Sequence, residues 1–99
     1  MDVDLSKLGV NIVAYIMLKI SPKGYEETLR NIINVSGISE AYEISGEYQV
    51  LLKVRVADNR ELAKVVDELG GIGNVLEVKV LYVIRELMST YELIGRSLL

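Results

Sequence analysis

The run Asn11 to Ile20, NIVAYIMLKI, is apolar on both sides of an extended chain. Val13, Tyr15 and Met17 fall on one side, and Ile12, Ala14, Ile16 and Leu18 on the other. Side chains alternate between the two faces of a strand, so a strand of this kind is buried on both. A chain of 99 residues has enough material to cover one of those faces with helices. The other face then needs a partner, and a second copy of the chain is the expected one.

The remaining elements can be placed around this strand. Ser21-Pro22 ends it, and Tyr25, Thr28, Leu29, Ile32 and Ile33 then recur at helical spacing up to a stop at Gly37. Ile38 to Val56 predicts a hairpin turning at a tight Gly46-Glu47 corner. Ile38, Tyr42 and Ile44 mark the apolar face of its first arm. Tyr48, Val50, Leu52, Val54 and Val56 alternate along the second, with Gln49, Lys53 and Arg55 turned the other way. Asp58 and Glu61 form a capping-box pattern ahead of a helical face of Leu62, Val65, Val66 and Leu69, which ends at Gly70-Gly71. Val75 to Ile84 is the fourth strand. Strand–helix–strand therefore occurs twice. The expected fold is α+β, a ferredoxin-like βαββαβ sandwich with a four-stranded antiparallel sheet and two helices on one face. Residues 11–84 form this unit within a single domain 1–99. Residues 85–99 read as a C-terminal helical extension, with Ser89 and Glu92 as its capping pair and Tyr91, Ile94 and Leu98 on its apolar side.

Composition excludes several chemistries. There is no cysteine and no histidine, so thiol chemistry, disulfides, zinc fingers and imidazole acid–base catalysis are ruled out. The net charge of -3 argues against a general phosphate-binding surface. No apolar run approaches the roughly 18 residues of a membrane span. Asp2 and Asp4 do not suit a secretory signal, so a cytoplasmic protein is expected. No metal or cofactor is implied. Glu43, Glu47 and Glu77 fall where they can approach one another, but solvated rim charges are the simpler account. Lys19, Lys53, Arg55 and Lys79 read as edge or interface charges. Gly70-Gly71-Ile72-Gly73 follows a helix rather than opening one, and so is not a phosphate cradle.

Taken together, residues 12 to 84 resemble the effector (RAM) domain of the Lrp/AsnC, leucine-responsive and asparagine-type, transcription regulators. The resemblance is carried by VAYIMLKISP, Val35-Ser36-Gly37-Ile38, AYEISGEYQVLLKVRV and IGNVLEVKVLYVI. The family's Gly-x-Tyr-Asp signature matches Gly46-Glu47-Tyr48-Gln49 except at its last position. The resemblance implies dimers packed sheet to sheet, assembly of dimers into octamer-like rings, and small effectors, usually amino acids, held between dimers near the signature loop. Gly46, Glu47, Tyr48 and Gln49 become the candidate ligand-binding loop, joined by Lys79 and Val80 on the last strand. Two features depart from the family. Gln49 replaces the signature Asp, and Val78 and Val80 stand where Thr or Ser is common. Residues 1–11 are too few for a helix-turn-helix, so a stand-alone effector domain without its own DNA contact is expected, with full-length Lrp/AsnC-type regulators as partners. Two alternatives remain open: a purely structural oligomerisation or adaptor domain, and a cofactor-free enzyme of the dimeric ferredoxin-like barrel type.

Overall fold

The computed structural model describes residues 12–90. The elements follow the order β1 (Ile12–Ile20), α1 (Tyr25–Ile33), β2 (Ile38–Glu43), β3 (Val50–Val56), α2 (Asn59–Gly70) and β4 (Val75–Tyr82). The strands form one antiparallel sheet in the order β2-β3-β1-β4. This is the expected ferredoxin-like sandwich. The N-terminal arm and the helix expected around Tyr91, Ile94 and Leu98 lie outside the described residues. From Val83 to Ser89 the chain is neither helix nor strand.

One face of the sheet makes the core. Ala14, Ile16, Leu18 and Ile20 of β1 and Val50, Leu52, Val54 and Val56 of β3 are buried against Ile32 of α1 and Leu62, Val65 and Leu69 of α2. Each fully buried Leu or Ile contributes roughly 1.5–3 kcal/mol relative to exposure. The opposite face carries Val13, Tyr15, Met17 and Lys19 on β1, which are only half-buried, beside Leu51, Lys53, Arg55, Lys79 and Leu81. Among the described residues no helix packs there, so the doubly apolar β1 is covered by helices on one side only.

The hairpin differs from expectation in two ways. A bulge between Ile38 and Glu40 shifts the β2 register. Ile38 faces the helices opposite Val54, whereas Tyr42 pairs with Leu51 and points to the open face. The two therefore do not share a face, because one extra residue reverses the alternation. In addition, β3 begins at Val50 rather than Tyr48, and residues 44–49 form a loop in place of a tight corner. The loop is closed by Ile44 N–H donating to the Gln49 carbonyl at 2.9 Å. Gly46 has φ 124 with open space around it, so the backbone and not packing requires glycine there.

Helix α2 starts as its sequence indicates, whereas α1 follows Gly24 in the left-handed conformation without a side-chain cap. The Asp58 carboxylate accepts from Glu61 N–H at 2.9 Å, and Glu61 Oε1 accepts from Ala57 N–H at 3.0 Å. The two halves are tied by Asn74, whose carbonyl accepts from Ser21 N–H at 2.9 Å and whose Nδ2 donates to the Lys23 carbonyl at 2.9 Å. Gly37 lies beyond the end of α1 with φ 99, and a Cβ there would sit 3.0 Å from Val65 Cγ2. Gly37→Ala is expected to lower stability by about 2 kcal/mol in urea unfolding, from left-handed backbone strain and overpacking together. A variant as stable as the parent contradicts this account of the β2 entrance.

Candidate functional site

The signature loop is anchored by Gln49. Its backbone N–H donates to the Leu18 carbonyl at 2.9 Å, extending the β3–β1 ladder by one residue. Just beyond, β1 and β4 lose register between Lys19 and Ile20. The Gln49 side chain fills that irregularity, with Oε1 accepting from Ile20 N–H at 2.8 Å and Nε2 donating to the Glu47 carbonyl at 3.3 Å. Both ends of the amide are thus committed to the chain itself. In this arrangement the Gln49 side chain holds the loop in place.

With Gln49 turned inward, Tyr48 extends across the open face to β4. Its hydroxyl donates to Glu77 Oε2 at 2.7 Å. Lys19 Nζ sits 5.6 Å from the ring centroid and Lys79 Nζ 5.9 Å, within reach of the ring's negative faces. Lys19 also lies 3.5 Å from Glu47 Oε2 and 3.5 Å from Glu77 Oε1. Lys19 and Glu77 are direct cross-strand partners, and Met17 opposite Lys79 continues the same face. Among the described residues no carboxylate lies within ion-pair distance of Lys79, although its charge acts on Glu77. The cluster therefore offers one ammonium at Lys79 outside ion-pair distance of a carboxylate, one exposed carboxylate at Glu47, and an aromatic ring within reach of both lysines.

The geometry sorts the expected residues. Gly46, Glu47, Tyr48 and Lys79 meet at one end of the open face. Gln49 supports them from behind. Val80 points the other way: it pairs with Ile16 and packs half-buried against the core. Val78, opposite Leu18, lies on the same helix-covered side. The valines standing in place of Thr or Ser therefore take no polar group away from the Tyr48 cluster. Glu43 does not join Glu47 and Glu77; it accepts from the Tyr25 hydroxyl at 2.7 Å, which pushes that phenol up to about 12. Lys19 and Glu77 are the members that sequence reading left among ordinary strand charges. Their signal lay in the alternation of Glu77 with Lys79 and in Lys19 closing β1.

The hydrogen bond from Tyr48 holds the Glu77 carboxyl below the ordinary glutamate value, with Lys19 and then Lys79 acting in the same direction against partial desolvation. The same bond raises the Tyr48 phenol. Among the described residues no cluster of His, Cys, Asp or Glu can hold a metal, and no helix is long and apolar enough to cross a membrane. A carboxyl-detected NMR titration is expected to show Glu77 ionising below an ordinary glutamate, and Tyr48→Phe is expected to move it upward. A folded value that is depressed means the stabilisation is present at neutral pH and fades as pH falls through that value. An unshifted Glu77 in the parent contradicts the cluster.

Residues 13–93 match the family model described as the Lrp/AsnC ligand binding domain. The HTH-type transcriptional regulator FL11 of Pyrococcus abyssi is 30% identical over 86 residues, covering 87% of this chain and 57% of that protein. The chain thus spans little more than half the length of this curated relative. Among solved structures, E. coli AsnC superposes with a TM-score of 0.76 at 23% identity, covering 90% of this chain and 61% of the other. The transcriptional regulator NMB0573 of Neisseria meningitidis, in complex with L-Met, superposes with a TM-score of 0.77 at 19% identity, covering 100% of this chain and 66% of the other. These structural likenesses show a shared fold. The family match, spanning nearly the whole described domain, places the chain in the Lrp/AsnC family as a ligand-binding domain of its transcription regulators.

Proposed function

We propose that this chain is an effector-binding and oligomerisation module that modulates transcription, and that its effector is a small amino-acid-like zwitterion held at the Tyr48 cluster. The observation that carries the proposal is that the exposed Lys79 ammonium, outside ion-pair distance of any carboxylate among the described residues, and the exposed Glu47 carboxylate both lie at a Tyr48 ring fixed by its bond to Glu77. Lys79 suits the ligand carboxylate and Glu47 the ligand ammonium, each through a charge-assisted hydrogen bond. Backbone around Gly46 lies open beside them. The family's Asp is not needed for the ammonium, because Glu47 and Glu77 already supply negative charge. That a neighbour of the same fold is solved with L-Met is consistent with this class of ligand.

Assembly follows from the open face. Tyr42 and Leu81 remain 51% and 43% exposed there, beside half-buried Val13, Tyr15 and Met17. We infer a dimer packed through this face in the cytoplasm, with dimers joining into rings so that the Tyr48 cluster lies near a neighbouring copy. DNA contact belongs to full-length Lrp/AsnC-type partners, whose binding this module alters by mixed assembly. A purely structural oligomerisation domain shares the open face but leaves the Lys79 and Glu47 arrangement without a role.

Urea unfolding with amino acids added singly at millimolar concentration tests the reading. A ligand at 100 times its Kd stabilises by about 2.7 kcal/mol when it binds only the folded state. The expected result is a selective shift with one or a few amino acids, lost in Tyr48→Ala and Lys79→Ala and kept in Val80→Thr. A shift that survives Tyr48→Ala, or no shift with any amino acid, overturns the site.

A further inference from the structure

We propose that the cleft between the open sheet face and residues 83–89 binds a small monocarboxylate with an apolar tail, its carboxylate on Arg55 and its tail over Val13 and Met88. The cleft has a volume of about 570 Å³, within the roughly 300–1,000 Å³ range of small-molecule pockets. Val13 and Arg55 are cross-strand partners in its floor, as are Tyr15 and Lys53. Val83, Glu86 and Met88 line it from the segment after β4, which is tied down where Val83 N–H donates to the Val13 carbonyl at 3.0 Å. Val13, Val83, Met88 and the Tyr15 ring give it apolar walls, and Met88 is 72% exposed. An apolar tail seated there removes that surface from water.

Charge selects the head group. The Lys53 ammonium lies 3.8 Å from Glu40 Oε2 and is partly neutralised within the sheet. Arg55 is exposed, and among the described residues no carboxylate lies within ion-pair distance of its guanidinium. Its planar fork can hold a carboxylate through two parallel hydrogen bonds. The half-buried Tyr15 hydroxyl makes no hydrogen bond among the described residues and is a further donor. Glu86 in the lining disfavours a dianion, and an α-ammonium on the ligand would be held beside Lys53 and Arg55. The groove at Ile33, between α1 and β2, is only about 130 Å³ and has Glu43 but no cation in its lining, so the same ligand has no place there. The cleft opens on the face through which the dimer is proposed to form. Enclosing Arg55 there without a counter-charge is costly, and a seated carboxylate removes that cost, so ligand and dimer favour each other. That coupling rests on the dimer reading above; the site itself does not.

Backbone NMR of the full chain titrated with hexanoate tests the site. Three controls separate its parts: acetate lacks the tail, hexylamine lacks the carboxylate, and norleucine is hexanoate bearing an α-ammonium. The expected result is saturable hexanoate shifts at Val13, Tyr15, Arg55 and Met88, with acetate and hexylamine weaker by about ten-fold or more. Arg55→Gln is expected to weaken hexanoate by about ten-fold or more with circular dichroism unchanged, and Tyr48→Ala to leave it as in the parent. Hexanoate is also expected to tighten the dimer of the parent in sedimentation, and not that of Arg55→Gln. Hexanoate shifts that are absent, centred elsewhere or unchanged in Arg55→Gln overturn the site, and norleucine or hexylamine bound in the cleft as tightly as hexanoate overturns the ligand class. A dimer loosened by hexanoate overturns the coupling. Norleucine without effect at the Tyr48 cluster, while hexanoate still seats at Arg55, counts against the zwitterion reading and supports this site.

Discussion

Strand β1 is the constraint from which the rest follows. It lies between β3 and β4 and pairs with both. Its even-numbered side chains from Ala14 to Ile20 are buried among side chains from both helices. That fixes the register of every neighbour, because a one-residue slip would turn the whole set to the other face. The odd-numbered set, Val13, Tyr15, Met17 and Lys19, is left with the sheet's open side. Among the described residues no helix covers that side. The division of β1 thus separates the described sheet into a helix-covered side and an open side.

The chemistry gathers where that regular arrangement breaks. β1 and β4 lose register at Lys19 and Ile20, and a break of this kind leaves backbone groups in need of new partners. Gln49 supplies one from its side chain, and in doing so fixes the loop that carries Tyr48. Tyr48 can then span from its own loop, past Lys19 on β1, to Glu77 and Lys79 on β4. Three separate elements meet in one exposed polar cluster. None of the ionic contacts in it is worth much by itself at a surface. Their value lies in holding a ring and opposite charges in fixed relation, the kind of preorganisation on which the proposed zwitterion site rests.

Most of the fold was legible because it rests on periodicity. The doubly apolar Asn11–Ile20 run, the capping pair Asp58 and Glu61, and the repeat of strand–helix–strand all point to one architecture. What escaped depends on single residues. The bulge between Ile38 and Glu40 separates Ile38 from Tyr42, and no pattern of apolar residues announces it. The loop-holding bonds of Gln49 were hidden for a similar reason. Its amide suits a ligand or a backbone equally well, and only the broken register beside it decides between them. Val80 looked like a neighbour of Lys79, but adjacent strand residues face opposite sides. Lys19 and Glu77 became visible as site members only once the order β2-β3-β1-β4 brought their strands together.

The central claim is that a small zwitterion is read at the Tyr48 end of the open face by groups from three elements. Backbone NMR of the full chain titrated with L-methionine, and then with other amino acids, tests it most directly. The account predicts, for at least one amino acid, saturable shifts concentrated at Lys19, Gly46, Glu47, Tyr48 and Lys79, with Val80 and the α2 face little affected. Saturable shifts centred elsewhere, on the cleft of Tyr15 and Arg55 or on the groove of Ile33, contradict it, as does a protein that shows no saturable response to any amino acid.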